Sequence, residues 1–110
     1  MAKIRAIVKR PDEQYGHMTN VSNTLKNLQK IVDGPIETVK ISPHVVIICN
    51  EEGKLRGLEK NFWFGLLPWA RDMIVGEVVV VGVDGDEFAD LPERITMPVW
   101  KDLLKEWGNE

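Results

Sequence analysis

The sequence predicts an α+β fold, a mixed, mostly antiparallel sheet of four to five strands covered by two helices. Several stretches combine β-branched residues with alternation or continuous apolarity, as strands do. Two others repeat apolar residues at helical spacing, and glycine or proline separates the segments. The 110 residues, 44% hydrophobic and 28% charged, suit a single domain spanning 1–110. The predicted order is β-α-β-β-(β)-loop-β-α.

The first third of the chain predicts one strand and one helix. Residues 3–9, "KIRAIVK", alternate and carry β-branched side chains, which indicates a strand. Residues 21–33, "VSNTLKNLQKIVD", place apolar residues on one helical face. Ser22 or Asn20 can cap the start of this helix through a side-chain oxygen, and Gly34 suits the left-handed position after its end.

The middle of the chain predicts strands around an irregular loop. Residues 36–41 alternate and should be half exposed, whereas residues 44–50 are almost all apolar and should form a central strand. Residues 54–58 can form a short returning strand. Residues 61–73, "NFWFGLLPWARDM", have no clean period and predict an irregular loop. Residues 74–83 are strongly β-branched and predict another strand.

A second helix is predicted over residues 96–107, with Thr96 as its cap and Pro98 in its first turn. Its apolar stripe can pack on the sheet of the same chain or meet a second copy. Because such stripes are favoured at interfaces, we expect self-association and a homo-oligomer. The stripe consists of Trp100, Leu103, Leu104 and Trp107.

The segment 50–72 is the most prominent candidate site, since it holds two of the four tryptophans among several cations. One interpretation makes it a cover that seals the core, because exposing large rings is costly. The other makes it a site for a ligand or a partner, because arginine can stack on rings and bind carboxylates or phosphates. The candidate residues are Lys54, Arg56, Trp63, Trp69 and Arg71.

Composition argues against several other classes of function. The net charge of −3 lacks the basic footprint of a duplex-binding protein. Cys49 is the only cysteine and lies in an apolar run, so we expect an inert core thiol. His17 and His44 show no spacing typical of metal ligands, and we expect no metal and no cofactor. Neither a signal peptide nor a membrane span is evident, which predicts a cytoplasmic protein without membrane association.

Two stretches also carry a resemblance to a known family. "VVIICNEEGKLRGLEKN" and "DMIVGEVVVVGVDGDEF" resemble a small domain of unknown function found in phages, plasmids and integrated elements of Gram-positive bacteria. The resemblance covers residues 3–90, with Glu59 and Lys60 at positions where similar sequences often carry proline. The tryptophan-rich spacer and the helix 96–107 look like additions particular to this chain.

The resemblance implies a mobile-element context rather than a reaction. The leading hypothesis is a non-enzymatic protein that inhibits a host defence or regulatory component, by binding a host protein or sequestering a nucleotide-like signal. One alternative is a nucleic-acid-binding accessory domain, for which strand alternation would place Lys3, Arg5 and Lys9 on one side. Another is a small enzyme that uses His17, Asp72 or Glu77 as acid or base. Nucleic acid is the less favoured partner.

Overall fold

The structure is a computed structural model that describes residues 2–110. These residues form eight strands, two α-helices and a single 3-10 turn at Pro68–Ala70. The strands are β1 (Lys3–Lys9), β2 (His17–Ser22), β3 (Ile36–Ser42), β4 (Val45–Asn50), β5 (Lys60–Phe64), β6 (Asp72–Val75), β7 (Val78–Asp84) and β8 (Glu87–Ala89). The helices are α1 (Leu25–Val32) and α2 (Met97–Glu106).

Six strands form the main sheet, in the order β2-β1-β7-β4-β3, with β8 paired to the far end of β7. Every strand pair among residues 2–110 is antiparallel. The α+β class with a mostly antiparallel sheet and two helices is therefore confirmed. β4 and β7 lie at the centre, and β4 is buried along its whole length, as its continuous apolar sequence predicted.

The domain has three layers, because both faces of the sheet are covered. Alternation along β7 points Val79 towards one face and Val80 towards the other. Helix α1 covers the first face with Leu28 and Val32. The β5–β6 hairpin and α2 cover the second face together, where Phe62 joins the core. No helix among residues 2–110 has the length and apolarity needed to cross a bilayer.

Helix α1 begins later than its sequence pattern predicted. Residues 17–22 form strand β2 instead, and Val21 pairs with Ile4 of β1 rather than opening the helix. Thr24 is the cap, with its hydroxyl accepting a hydrogen bond from the N–H of Asn27 at 3.1 Å. Asp33 adopts the left-handed conformation, with φ 65°, in the role expected of Gly34.

The region after β4 differs most from the sequence prediction. Residues 51–57 form consecutive turns, so the strand predicted at 54–58 is wrong. The predicted loop 61–73 is largely the β5–β6 hairpin. The predicted strand 74–83 is broken by Gly76, which has φ 75° and whose Cβ position would lie 2.9 Å from the Leu58 side chain. This break lets β6 join the hairpin while β7 enters the main sheet.

Candidate functional site

The β5–β6 hairpin separates the aromatic residues of the candidate segment onto two faces. Phe62 points into the core and is 2% exposed, whereas its neighbour Trp63 is 41% exposed. Phe64 turns back inward, with its ring centroid 4.9 Å from that of Trp107. This alternation is that of an ordinary strand. The segment is therefore a cover at Phe62 and Phe64 and an outward surface at Trp63.

The turn that joins the two strands exposes a compact set of apolar side chains. We call residues 65–71 the hairpin tip. Leu66, Leu67 and Trp69 are 67%, 51% and 82% exposed. Pro68 opens the 3-10 turn that carries Trp69. Isolated exposed apolar residues are common on protein surfaces, but a contiguous set that includes a tryptophan marks a candidate interaction surface.

Arg71 ties the hairpin to the end of α2 rather than presenting a free cation. Its Nη1 donates a hydrogen bond to the carbonyl oxygen of Trp107 at 2.9 Å. Its guanidinium carbon lies 5.6 Å from the centroid of the Trp63 ring. The Cβ of any residue but glycine at position 108 would overlap Nη1 of Arg71. Gly108 therefore creates the space that Arg71 occupies.

Asn109 fastens the same hairpin through its side-chain amide. Its Oδ1 accepts a hydrogen bond from the Trp63 N–H at 2.8 Å, and its Nδ2 donates to the Trp63 carbonyl at 2.9 Å. Nδ2 also donates to the carbonyl of Leu104 at 2.9 Å. The amide thus pairs with β5 as a neighbouring strand would. Sequence reasoning missed Asn109 because a single polar residue after a helix carries no signal of this role.

Lys54 and Arg56 are also held within the chain. Arg56 donates from Nη1 to the carbonyl of Asp33 at 2.5 Å and from Nη2 to the carboxylate of Asp33 at 3.0 Å. Lys54 pairs with the carboxylate of Asp72. Arg56 therefore binds the end of α1, and Lys54 binds β6. Of the five predicted residues Lys54, Arg56, Trp63, Trp69 and Arg71, the structure brings Trp63 and Arg71 together, whereas Lys54 and Arg56 bind other parts of the chain.

Lys54 and Asp72 line a small cleft between the β3–β4 edge and β6, with a volume of about 200 Å³. Cys49 lies in its lining, 7% exposed. Burial is the main cause that raises the pKa of the Cys49 thiol to about 11, which disfavours the nucleophilic thiolate. This agrees with the expected inert core thiol.

A second, more apolar groove lies between the hairpin and α2. We call it the α2 groove, and its volume is about 310 Å³. Glu106 is the one charged residue among those that the structure places in its lining. The other lining residues are Ile41, Phe64, Gly65, Leu66, Leu103 and Trp107.

The apolar stripe of α2 lies inside the chain. Trp100, Leu104 and Trp107 are 0%, 2% and 3% exposed and pack with the hairpin against the sheet. The Nε1 of Trp100 donates to the carbonyl of Tyr15 at 2.8 Å. Trp100, Leu104 and Trp107 therefore do not form the exposed self-association stripe that the sequence suggested, whereas Leu103 is half-buried and lines the α2 groove. The sequence correctly placed these apolar side chains on one face of the helix, and that face packs into the core of the same chain.

The cations considered for nucleic-acid binding are partly internal. Arg5 donates to the carbonyls of Leu91, Pro92 and Ile95 at 2.7, 3.0 and 3.0 Å. Lys9 is 2% exposed. The ammonium of Lys9 donates to the carbonyl of Glu13 at 2.7 Å and to a side-chain oxygen of Asn61 at 2.5 Å. Arg5 and Lys9 lie on a side of β1 that the rest of the chain covers, whereas Lys3, at the start of the strand, is exposed.

Of the acid–base candidates, Asp72 lines the small cleft beside Lys54, whereas His17 and Glu77 line neither of the two clefts above. Burial raises the pKa of Glu77 above its ordinary value. His17 is paired with Glu13, with 3.2 Å between Nδ1 and Oε2. Asp72 is the partner of Lys54. Within residues 2–110, no three His, Cys, Asp or Glu side chains are grouped as metal ligands.

Comparison with known proteins places the chain in a family. No curated protein and no solved structure shows significant similarity to it. A family of domains does match, over residues 4–105, and this range extends past residue 90 to include nearly all of α2. The helix is therefore part of the family domain rather than an addition to it. The chain belongs to the DUF3846 family, a domain of unknown function.

Proposed function

We propose that this chain is a non-enzymatic protein-binding domain of a phage or other mobile element, which acts in the host cytoplasm on a defence or regulatory protein. The hairpin tip is the contact surface in this proposal. The observation that carries it is the 82% exposure of Trp69 beside two exposed leucines. The mobile-element context is an inference from the sequence resemblance described above.

Burial of the hairpin tip by a partner would be strongly favourable. Covering side chains of this kind stabilises by roughly 1.5–3 kcal/mol each. Tryptophan is also enriched among the residues that dominate binding energy at protein interfaces. Trp63 extends the surface down the outer face of β5, and its backbone is held by Asn109. The part of the surface at Trp63 is thus both apolar and held in place, which reduces the entropy lost on binding.

A protein partner suits this surface better than a nucleotide-like ligand does. A phosphate needs donors that are free to reach it. Lys54, Arg56 and Arg71 each already have a partner within the chain. The apolar side chains of the tip, in contrast, have no large apolar cover. The chemistry of the tip therefore favours an apolar patch on a folded protein.

The test compares the wild type with a tip variant, Leu67→Ser/Trp69→Ser, as bait in extracts of a bacterial host. Leu55→Ser is the matched control, because Leu55 is 93% exposed but lies on the turns 51–57. A captured protein is then purified, and its affinity for each bait is measured by calorimetry. We expect the tip variant to bind at least about tenfold more weakly and the control to bind as the wild type does. Equal affinity of all three baits would contradict the proposal.

A further inference from the structure

A projection and a groove, both apolar, lie side by side on this chain. Leu66 belongs to the hairpin tip and also lines the α2 groove. We propose that the hairpin tip of one chain inserts into the α2 groove of a second copy, and that the reciprocal contact forms a two-fold symmetric dimer. This inference rests on the proposed protein-binding role of the tip and names one partner for it.

The tip and the groove lie next to each other on one chain, and this arrangement is the reason for proposing a second copy as the partner. Gly65 and Leu66 form part of the groove wall, so the tip cannot fold back into its own groove while β5 and β6 remain paired. A two-fold axis brings the same surface of a second chain opposite, so that residue i meets j and j meets i. Both tips and both grooves are then covered in one step. A partner without a groove would leave one of the two apolar features exposed.

The charges near the two features are also complementary. Glu106 is exposed and lines the groove. Arg71 lies at the base of the tip, half-buried. Arg71 keeps its hydrogen bond to the Trp107 carbonyl of its own chain, and its charge is opposite to that of Glu106, so insertion of a tip brings no like charges together. The net charge of −3 on each chain is small, and physiological salt screens its long-range repulsion.

The available area sets the expected strength of the dimer. Trp63 and Trp69, 41% and 82% exposed, together present roughly 200–300 Å² of ring surface. The two leucines and the groove walls add to this, against ~800 Å² per partner in a typical specific interface. Because the two rings supply well under half of that area, we expect a weak dimer that dissociates at micromolar concentrations.

The first experiment is sedimentation velocity of the full chain from about 1 μM to about 500 μM. We expect concentration-dependent dimerisation of the wild type and of Leu55→Ser. We expect weakening by at least about tenfold in the tip variant Leu67→Ser/Trp69→Ser and in a groove variant, Ile41→Lys. Ile41 is half-buried on the edge strand β3, so a lysine there can extend to solvent and the fold is kept. Circular dichroism confirms folding of each variant.

The second experiment mixes the two variants. The tip variant keeps an intact groove, and Ile41→Lys keeps an intact tip, so a mixed pair retains one of the two contacts. We expect more dimer in the mixture than in either variant alone at the same total concentration. Non-specific adhesion between tips would give no such recovery. A mixture that stays monomeric while the wild type dimerises would overturn the tip-into-groove arrangement.

The outcomes separate this inference from the proposed function. A wild-type chain that remains monomeric up to about 500 μM overturns the dimer, and tip-dependent binding of a host protein can still stand. A tip-dependent dimer that captures no host protein supports the dimer and contradicts the host-target proposal. Dimerisation that is insensitive to both the tip and the groove variants overturns the inference as well.

Discussion

At the scale of single residues, neighbours in the hairpin have opposite roles. Phe62 is buried in the core and Trp63 faces outward, although both are large aromatic residues. The sequence predicted that this segment matters, but not which ring points where. Gly65 and Pro68 interrupt the alternation, so the two-residue period of β5 could not be recognised. The same two residues explain the exposure of Trp69, because the glycine and the proline bend the chain away from the sheet before that position.

Cys49 provides a direct test of local burial. Burial, the main cause, raises the pKa of its thiol to about 11, so almost no thiolate forms at pH ~8. We expect iodoacetamide to label the folded chain at least about tenfold more slowly than the urea-unfolded chain. Mass spectrometry over a time course measures both rates. Similar rates in the two states would show that Cys49 is accessible and reactive.

Gly108 provides a test of the Arg71 contact. Gly108→Ala adds a Cβ at a position with φ 90° and displaces Nη1 of Arg71. Gly85→Ala is the matched control, because Gly85 has φ 63° with no heavy atom within 4 Å of its Cβ position. Both substitutions place an alanine in the left-handed backbone region, which costs ~1–2 kcal/mol. We expect Gly108→Ala to lower the free energy of unfolding by about 1–3 kcal/mol more than Gly85→Ala does, because only the first substitution removes the Arg71 hydrogen bond. Urea unfolding measures both values. Equal losses would mean that Arg71 contributes little.

At the scale of elements, the β5–β6 hairpin is the part that sequence reasoning did not predict. Strand β2 was missed as well, because "HMTN" is mostly polar and β2 is an edge strand in which only Val21 is buried. Elements with a strong period or a long apolar run were predicted well: β1, β4 and α2 lie within a residue or two of their predicted limits. The hairpin depends instead on tertiary contacts with α2 and residue 109.

Asn109 should control the opening of this hairpin. Asn109→Ala removes both hydrogen bonds to the Trp63 backbone, each contributing about 1 kcal/mol. Asn109→Asp keeps an acceptor for the Trp63 N–H but loses the donor. We expect hydrogen exchange at the Trp63 amide to accelerate in Asn109→Ala and to accelerate less in Asn109→Asp. The amide of Ile47, in central strand β4, serves as the internal control. No change at Trp63 in the alanine variant would contradict the fastening role.

At the scale of the whole molecule, the α+β class, the central position of β4 and the two covering helices followed from the sequence. The third layer did not, because it combines α2 with a hairpin that is distant in sequence. Lys9 joins these parts: it belongs to β1, yet its ammonium donates to Asn61 of the hairpin. Asn61 in turn donates to the carbonyls of Lys9 and Gly76 at 3.0 and 2.7 Å. This buried polar link connects the main sheet with the hairpin.

Lys9 predicts a pH dependence of global stability. Burial lowers the pKa of the ammonium below its usual 10.5, so the unfolded state binds more protons at alkaline pH. The cost of the buried charge is therefore fully present below the lowered pKa, and it disappears as the pH rises towards 10.5. We expect the free energy of unfolding to rise with pH in that window more in the wild type than in Lys9→Met. Urea unfolding at several pH values measures the difference. Parallel pH profiles of the two proteins would contradict it.

The break at Gly76 has a further consequence for any partner. Only positions 76 and 77 separate β6 from β7, so the hairpin is anchored directly to a central strand of the main sheet. A hairpin anchored in this way is already paired before a partner arrives, so binding does not require it to fold. The heat-capacity change of binding should therefore match the apolar area that is covered, without the larger change that accompanies coupled folding. Calorimetry at several temperatures would then give the size of the footprint directly.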